Sequence, residues 1–95
     1  MNAREQGFWV FHGAGAKFAA GVFVSREKAD SAIRKHRLTG VLTWYPSGEL
    51  VYDWASREKL LNMKPEKSAE LTAEKIGQLT TASQPHFHYE DGELA

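Results

Sequence analysis

Residues 40–55 read GVLTWYPSGELVYDWA, and the predicted fold is organised around this stretch. Pro46 presets φ for the second position of a type I turn, Ser47 suits the third, and Gly48 can take the left-handed conformation that closes the turn. A turn of this kind joins two strands as a hairpin with a bulge. We therefore predict that the residues on either side of the turn pair as two antiparallel strands.

The predicted hairpin has two unlike faces, because side chains alternate across a strand. One face is apolar and is expected to be core; it carries Leu42, Trp44, Leu50, Tyr52 and Trp54. The other face is mixed, and its candidates for contact with a partner are Thr43, Tyr45, Glu49 and Asp53. Aromatic residues are enriched at protein interfaces, so Tyr45 is the strongest of these candidates.

Two strands and a helix are predicted before the hairpin. Residues 8–11 read FWVF, a run typical of a strand buried on both faces, and residues 22–24 read VFV. We expect these strands to pair antiparallel across the Gly/Ala-rich loop at 13–21. Ser25 suits the N-cap of a helix over Arg26–Arg37, and Gly40 is a plausible stop. The apolar face of this helix comprises Ala29, Ala32, Ile33 and His36.

The second half of the chain gives weaker patterns. Ser56–Met63 and Glu66–Thr80 are helix candidates, and His86–Glu90 alternates as a half-buried strand. The fold class predicted for the whole is α+β, in the order ββαββαβ. A mixed or antiparallel sheet of about five strands would carry helices on one face. Residues 7–92 would form this single domain, with a disordered N-terminal tail at 1–6 and a C-terminal tail at 93–95.

Composition limits the classes of function. The chain has 95 residues, 42% hydrophobic and 25% charged, which is ordinary for one globular domain. It has no cysteine, so disulfides and Cys-based metal sites are excluded and a cytoplasmic location is expected. It has no run of about 20 apolar residues that would span a membrane. Twelve basic residues balance twelve acidic ones, which argues against nucleic-acid binding.

The strongest chemical pattern is His86, His88 and Glu90 at every second position of the last predicted strand. Side chains at that spacing share one face, and imidazole and carboxylate are ligands of zinc and similar divalent metals. His12 is the natural third histidine if the first and last strands are neighbours. The same residues could perform acid–base chemistry. The simpler interpretation is that these residues form the solvent-exposed face of an edge strand. No complete set of catalytic residues is present, so we predict no catalytic residue.

Four phrases stand out together: HG at 12–13, GVLTWYP at 40–46, YDWA at 52–55 and HFHYEDG at 86–92. They resemble a family of short, uncharacterised bacterial proteins, a domain of unknown function. The resemblance covers most of residues 8–92 and implies no established activity. Small cytosolic proteins of this sort often turn out to be immunity proteins or other partners of toxin systems, which is an argument by analogy.

The leading hypothesis is therefore a small cytosolic module that docks on and occludes another protein, as an immunity or antitoxin-like protein does, and that needs no cofactor. The expected contact residues are Thr43, Tyr45, Glu49, Asp53, His86, His88 and Glu90. One alternative is a metal-binding or hydrolytic site formed by His12, His86, His88 and Glu90. Another is a structural homodimer joined through an unpaired strand edge.

Overall fold

The computed structural model describes residues 6–60 and 72–95. Its elements are β1 (Gly7–Gly13), β2 (Gly21–Phe23), α1 (Arg26–His36), β3 (Gly40–Pro46), α2 (Val51–Arg57), α3 (Ala73–Gln78), β4 (His86–Glu90) and β5 (Glu93–Leu94). The strands form one antiparallel sheet in the order β2-β1-β3-β4-β5, which confirms the predicted α+β class. None of the helices in the described ranges is both long and apolar enough to cross a membrane.

The predicted hairpin at 40–55 is wrong in its second half. β1 pairs with β3 along its whole length, and β4 pairs with residues 40–43 on the other side. Because both edges of β3 are occupied, the residues after the turn have no strand to join. They form α2 instead, which buries Val51, Trp54 and Ala55 at i, i+3 and i+4. Across residues 6–60 and 72–95, the order of elements is thus ββαβααββ, not ββαββαβ.

Both of the better-packed helices lie on the same face of the sheet. From α1, Ala29 and Ile33 form a fully buried cluster with sheet residues Phe11, Leu42 and Tyr89. A second cluster joins Trp44 of β3 to the buried face of α2, with the Trp44 and Trp54 rings 5.3 Å apart, edge to face. These two clusters form the core, and they leave the opposite face of the sheet without a helix from α1 or α2.

Helix α1 begins where the sequence predicts and ends one residue early. The Ser25 side chain accepts a hydrogen bond from the backbone N–H of Lys28 at 3.2 Å, which confirms the N-cap. The helix ends at His36 because Arg37 takes a left-handed conformation (φ 54°), so Gly40 is not the stop. His36 is exposed, contrary to its predicted place on the apolar face. Leu38 packs against the core instead.

A polar contact ties α1 to β4 beside the first cluster. The hydroxyl of Tyr89 donates to Asp30 Oδ1 at 2.8 Å, and Arg34 Nε donates to Asp30 Oδ2 at 2.7 Å. The hydrogen bond from Arg34, and then the one from Tyr89, hold the pKa of the Asp30 carboxyl below its usual value. Burial, followed by the hydrogen bond to Asp30, raises the pKa of Tyr89.

The C-terminal part of the chain agrees with the sequence prediction in its main strand and differs from it elsewhere. The strand predicted at His86–Glu90 is confirmed with the same bounds. The short strand β5 lies within the residues for which a C-terminal tail is predicted. The helix predicted at Ser56–Met63 is wrong in its described part, because α2 ends at Arg57 and residues 58–59 form a turn. The helix predicted at Glu66–Thr80 is seen only as α3, capped by Thr72. Their parts at 61–71, and the N-terminal residues 1–5, lie outside the described residues.

Candidate functional site

The candidate site is the sheet face opposite α1 and α2, which we call the open face. By strand register and alternation it carries Phe8, Val10, His12, Val22, Val41, Thr43, Tyr45, His86, His88, Glu90 and Glu93. Its residues are exposed or half-buried, with Val22 64% and Phe8 39% accessible. The prediction that residues 8–11 are buried on both faces is therefore wrong, because α1 and α2 pack on the face opposite Phe8 and Val10.

The structure brings several of the predicted contact residues together on this face. Thr43 lies directly opposite His86, and Val41 lies directly opposite His88. Tyr45 lies on the same face of β3 and pairs with Phe8 of β1. The expected adjacency of the polar face of β3 and the histidine strand is thus present, although the second strand of the hairpin is not.

Two predicted contact residues lie elsewhere. Glu49 belongs to the turn before α2, where both its carboxylate oxygens accept hydrogen bonds from the Arg57 guanidinium at 2.6 and 2.9 Å. That pairing lowers the pKa of Glu49. Asp53 is exposed on α2. Both were placed beside Tyr45 by the hairpin register, and they leave the face because residues 51–57 form a helix.

His12 shares the open face but does not join the other histidines. In the cross-strand row His12–Val41–His88, the side chain of Val41 stands between the two imidazoles. The backbones of His12 and His88 are two strand spacings apart, which is about 10 Å. His12 instead hydrogen-bonds through Nε2 to the backbone carbonyl of Ala16. Across residues 6–60 and 72–95, no three His, Cys, Asp or Glu side chains lie close enough together to hold a metal ion.

Gln84 fixes the segment that leads into the histidine strand. Its side chain is 1% exposed; Nε2 donates to the carbonyl of Trp44 at 2.9 Å, and Oε1 accepts from the Thr81 N–H at 3.0 Å. The Gln84 carbonyl accepts a hydrogen bond from Nδ1 of His86 at 2.8 Å. No role is predicted for Gln84 from the sequence, because a glutamine in a polar connecting stretch gives no signal that it is buried.

Two depressions shape the open face. One, of about 610 Å³, lies between the loop at 13–16 and β4, with His12 and His88 among its lining residues. The other, of about 270 Å³, lies between β3 and the segment at 80–84, with Thr43, Tyr45 and His86 among its lining residues. The loops at the two sides therefore give the face a raised border, and the predicted contact residues lie between them.

Acidic residues mark the β4–β5 end of the open face. Glu90 and Glu93 are direct cross-strand partners, an arrangement in which like charges repel. Asp91 links them in a left-handed conformation (φ 50°). Within the described ranges, none of these three carboxylates forms an ion pair, and no strand residue on the face is Lys or Arg. This end of the face is therefore negative, and Arg34 of α1 is near enough to interact electrostatically with Glu93.

A separate cleft of about 580 Å³ lies on the helical side of the sheet. All three tryptophans of the chain, Trp9, Trp44 and Trp54, line it together with Glu58 and Leu60. The buried Nε1 of Trp54 has no hydrogen-bond partner among the described residues. Trp44 and Trp54 are predicted from the sequence to be core residues, and both are indeed buried.

Comparison with known families identifies the chain only to the level of a family. Residues 8–95 match the family described as Domain of unknown function (DUF7710). The chain belongs to this family. The resemblance found in the sequence, to a family of uncharacterised proteins, is thereby confirmed. No curated protein matches the chain, and no solved structure matches it either.

Proposed function

We propose that this DUF7710 protein binds another protein through the open face of its sheet. The observation that carries the proposal is the composition of that face. It presents Phe8 and Val22 as exposed apolar residues, and Tyr45 as a half-buried one that also contacts the second core cluster, beside polar and histidine side chains. Aromatic and aliphatic residues surrounded by a polar rim are typical of interface centres.

The chemistry of the face indicates the kind of partner. Its centre, around Val10, Val41 and Tyr45, suits an apolar patch on the partner. Its β4–β5 end, with Glu90 and Glu93, suits Arg or Lys side chains, since a cation placed between the two carboxylates would relieve their repulsion. We therefore expect a partner whose contact surface is apolar at the centre and basic at one rim.

Docking on this face would act by occlusion. A sheet face with raised borders can cover a matching surface on the partner without any chemical step, which is how an immunity protein acts on its toxin. We place this binding in the bacterial cytoplasm, because a chain without cysteine suits a reducing compartment.

Site-specific photocrosslinking tests the proposal. Benzoylphenylalanine is placed at Tyr45 or Val22 on the open face, and at Lys35 or Asp53 as exposed controls on α1 and α2. Each protein is irradiated in a lysate of the source bacterium, and crosslinked peptides are identified by mass spectrometry. We expect one discrete product from the two open-face positions only, with an apolar peptide of the partner at the crosslink. Equal products from the helix controls, or none from the open face, would refute the proposal.

A further inference from the structure

We propose that His86 and His88 form a two-histidine site for a divalent transition metal ion, and that the partner docked on the open face supplies the remaining ligands. Imidazole suits zinc, nickel and copper, and zinc normally takes four ligands. The first part stands on the geometry of β4 alone. The second part rests on the proposed function.

The two rings are spaced as ligands of one ion. Both are exposed on the same face of β4, with ring centroids 5.6 Å apart and ring planes at 83°. From a zinc–nitrogen bond of about 2.1 Å, two imidazoles on one tetrahedral zinc have centroids about 5 Å apart. The spacing of the two rings is therefore close to that of two ligands on one ion.

The hydrogen bond of His86 favours the tautomer that a metal ligand needs. A carbonyl oxygen only accepts, so Nδ1 of His86 carries the proton in its 2.8 Å hydrogen bond to Gln84. The neutral ring then keeps its lone pair on Nε2. Metal-binding histidines typically donate their other ring N–H to a carbonyl or carboxylate in this manner. Gln84 is itself fixed by its buried hydrogen bond to Trp44.

The described part of the chain supplies only these two ligands. His12 is kept apart by Val41, and Glu90 does not complete a group of three. The unfilled coordination positions lie on the open face, where a docked protein would sit. A histidine or carboxylate from that protein would complete the ion's shell, so that the metal would add affinity and fix the register of docking.

Zinc binding to the chain alone tests the first part. Tag-free full-length protein is titrated with zinc chloride by calorimetry, beside His86→Ala and His88→Ala. His36→Ala, an exposed histidine on α1, is the matched control, and His12→Ala tests the neighbour. We expect one ion per chain, at least tenfold weaker binding in each β4 variant, and unchanged binding in the other two. Unchanged affinity in the β4 variants, or equal loss in His12→Ala, would overturn the site.

The Tyr45 photocrosslink tests the second part. We expect the yield to fall at least fivefold when EDTA replaces zinc, and to fall equally in His88→Ala. If EDTA does not change the crosslinking yield, the proposal that the partner supplies zinc ligands is overturned. Zinc binding and docking would both still stand. If light scattering shows that zinc makes this chain dimerise, the missing ligands come from a second copy of the chain. That result would overturn the proposal that a separate partner supplies them. No crosslink in either condition would defeat the proposed function but not the zinc site.

Discussion

Replacing Gln84 by leucine tests how the segment at 80–85 is held against β3. Leucine has nearly the same volume, so the change removes hydrogen bonds without opening a large cavity. Two groups lose their partner: the carbonyl of Trp44 and the N–H of Thr81. Trp44 is 6% exposed, so water reaches its carbonyl poorly, whereas Thr81 is half-buried and is partly rehydrated.

The expected cost follows from these two groups. A buried polar group left without a partner costs about 1–3 kcal/mol, and greater apolar burial of leucine returns about 1 kcal/mol. We therefore expect Gln84→Leu to lower the free energy of unfolding by about 2 kcal/mol, and the melting temperature by about 8–16 °C.

The assay is urea unfolding followed by tryptophan fluorescence, since Trp44 lies at the end of the lost hydrogen bond. Gln78→Leu is the matched control, because Gln78 is exposed on α3, and its effect should stay within about 0.5 kcal/mol. A Gln84→Leu variant as stable as the control would refute this account of the segment.

Two further changes test the core. Tyr89→Phe removes the hydrogen bond to Asp30 and should cost about 1–2 kcal/mol at pH 7. Because the folded pKa of Asp30 is lowered, its stabilisation is present above about pH 4 and lost as pH falls through the folded pKa. The cost should therefore shrink toward pH 2 in urea unfolding; a cost independent of pH would contradict this. Gly40→Ala places a Cβ against the carbonyl of His12 and should cost about 2 kcal/mol or more, whereas Gly77→Ala, with open space around it, should be neutral or stabilising. Equal melting temperatures for the two alanine variants would contradict the close β1–β3 approach.

The sequence predicted those elements whose pattern is local. Ser25 gave the start of α1, and alternation gave β4 with its exact bounds and its outward histidines. Both signals depend on residues within a few positions of one another. The antiparallel pairing of β1 with β2 also followed from two short apolar runs joined by one loop.

The sequence could not predict α2, because residues 50–55 satisfy two periodicities. Leu50, Tyr52 and Trp54 alternate as in a strand, while Val51, Trp54 and Ala55 follow a helix. The choice between them depends on whether β3 has a free edge. It has none, because β1 and β4 occupy both sides, and that fact is set by residues more than 30 positions away.

Only part of the open face could be predicted from the sequence. Alternation along the strands was enough to place Thr43, Tyr45, His86 and His88 together on this face. Glu49 and Asp53 were assigned to it through a strand that does not form. The apolar members Phe8 and Val22 were missed, because the sequence does not say which face of the sheet the helices cover.

The most direct test of the central claim is the affinity of the crosslinked partner for two matched variants. Val22→Lys and Leu50→Lys each place a charge on an exposed apolar residue, 64% and 54% accessible, but only Val22 lies on the open face. By calorimetry with the purified partner, we predict that Val22→Lys weakens binding at least tenfold and that Leu50→Lys leaves it within twofold. Equal affinities for the two variants, or a larger loss for Leu50→Lys, would contradict docking on the open face.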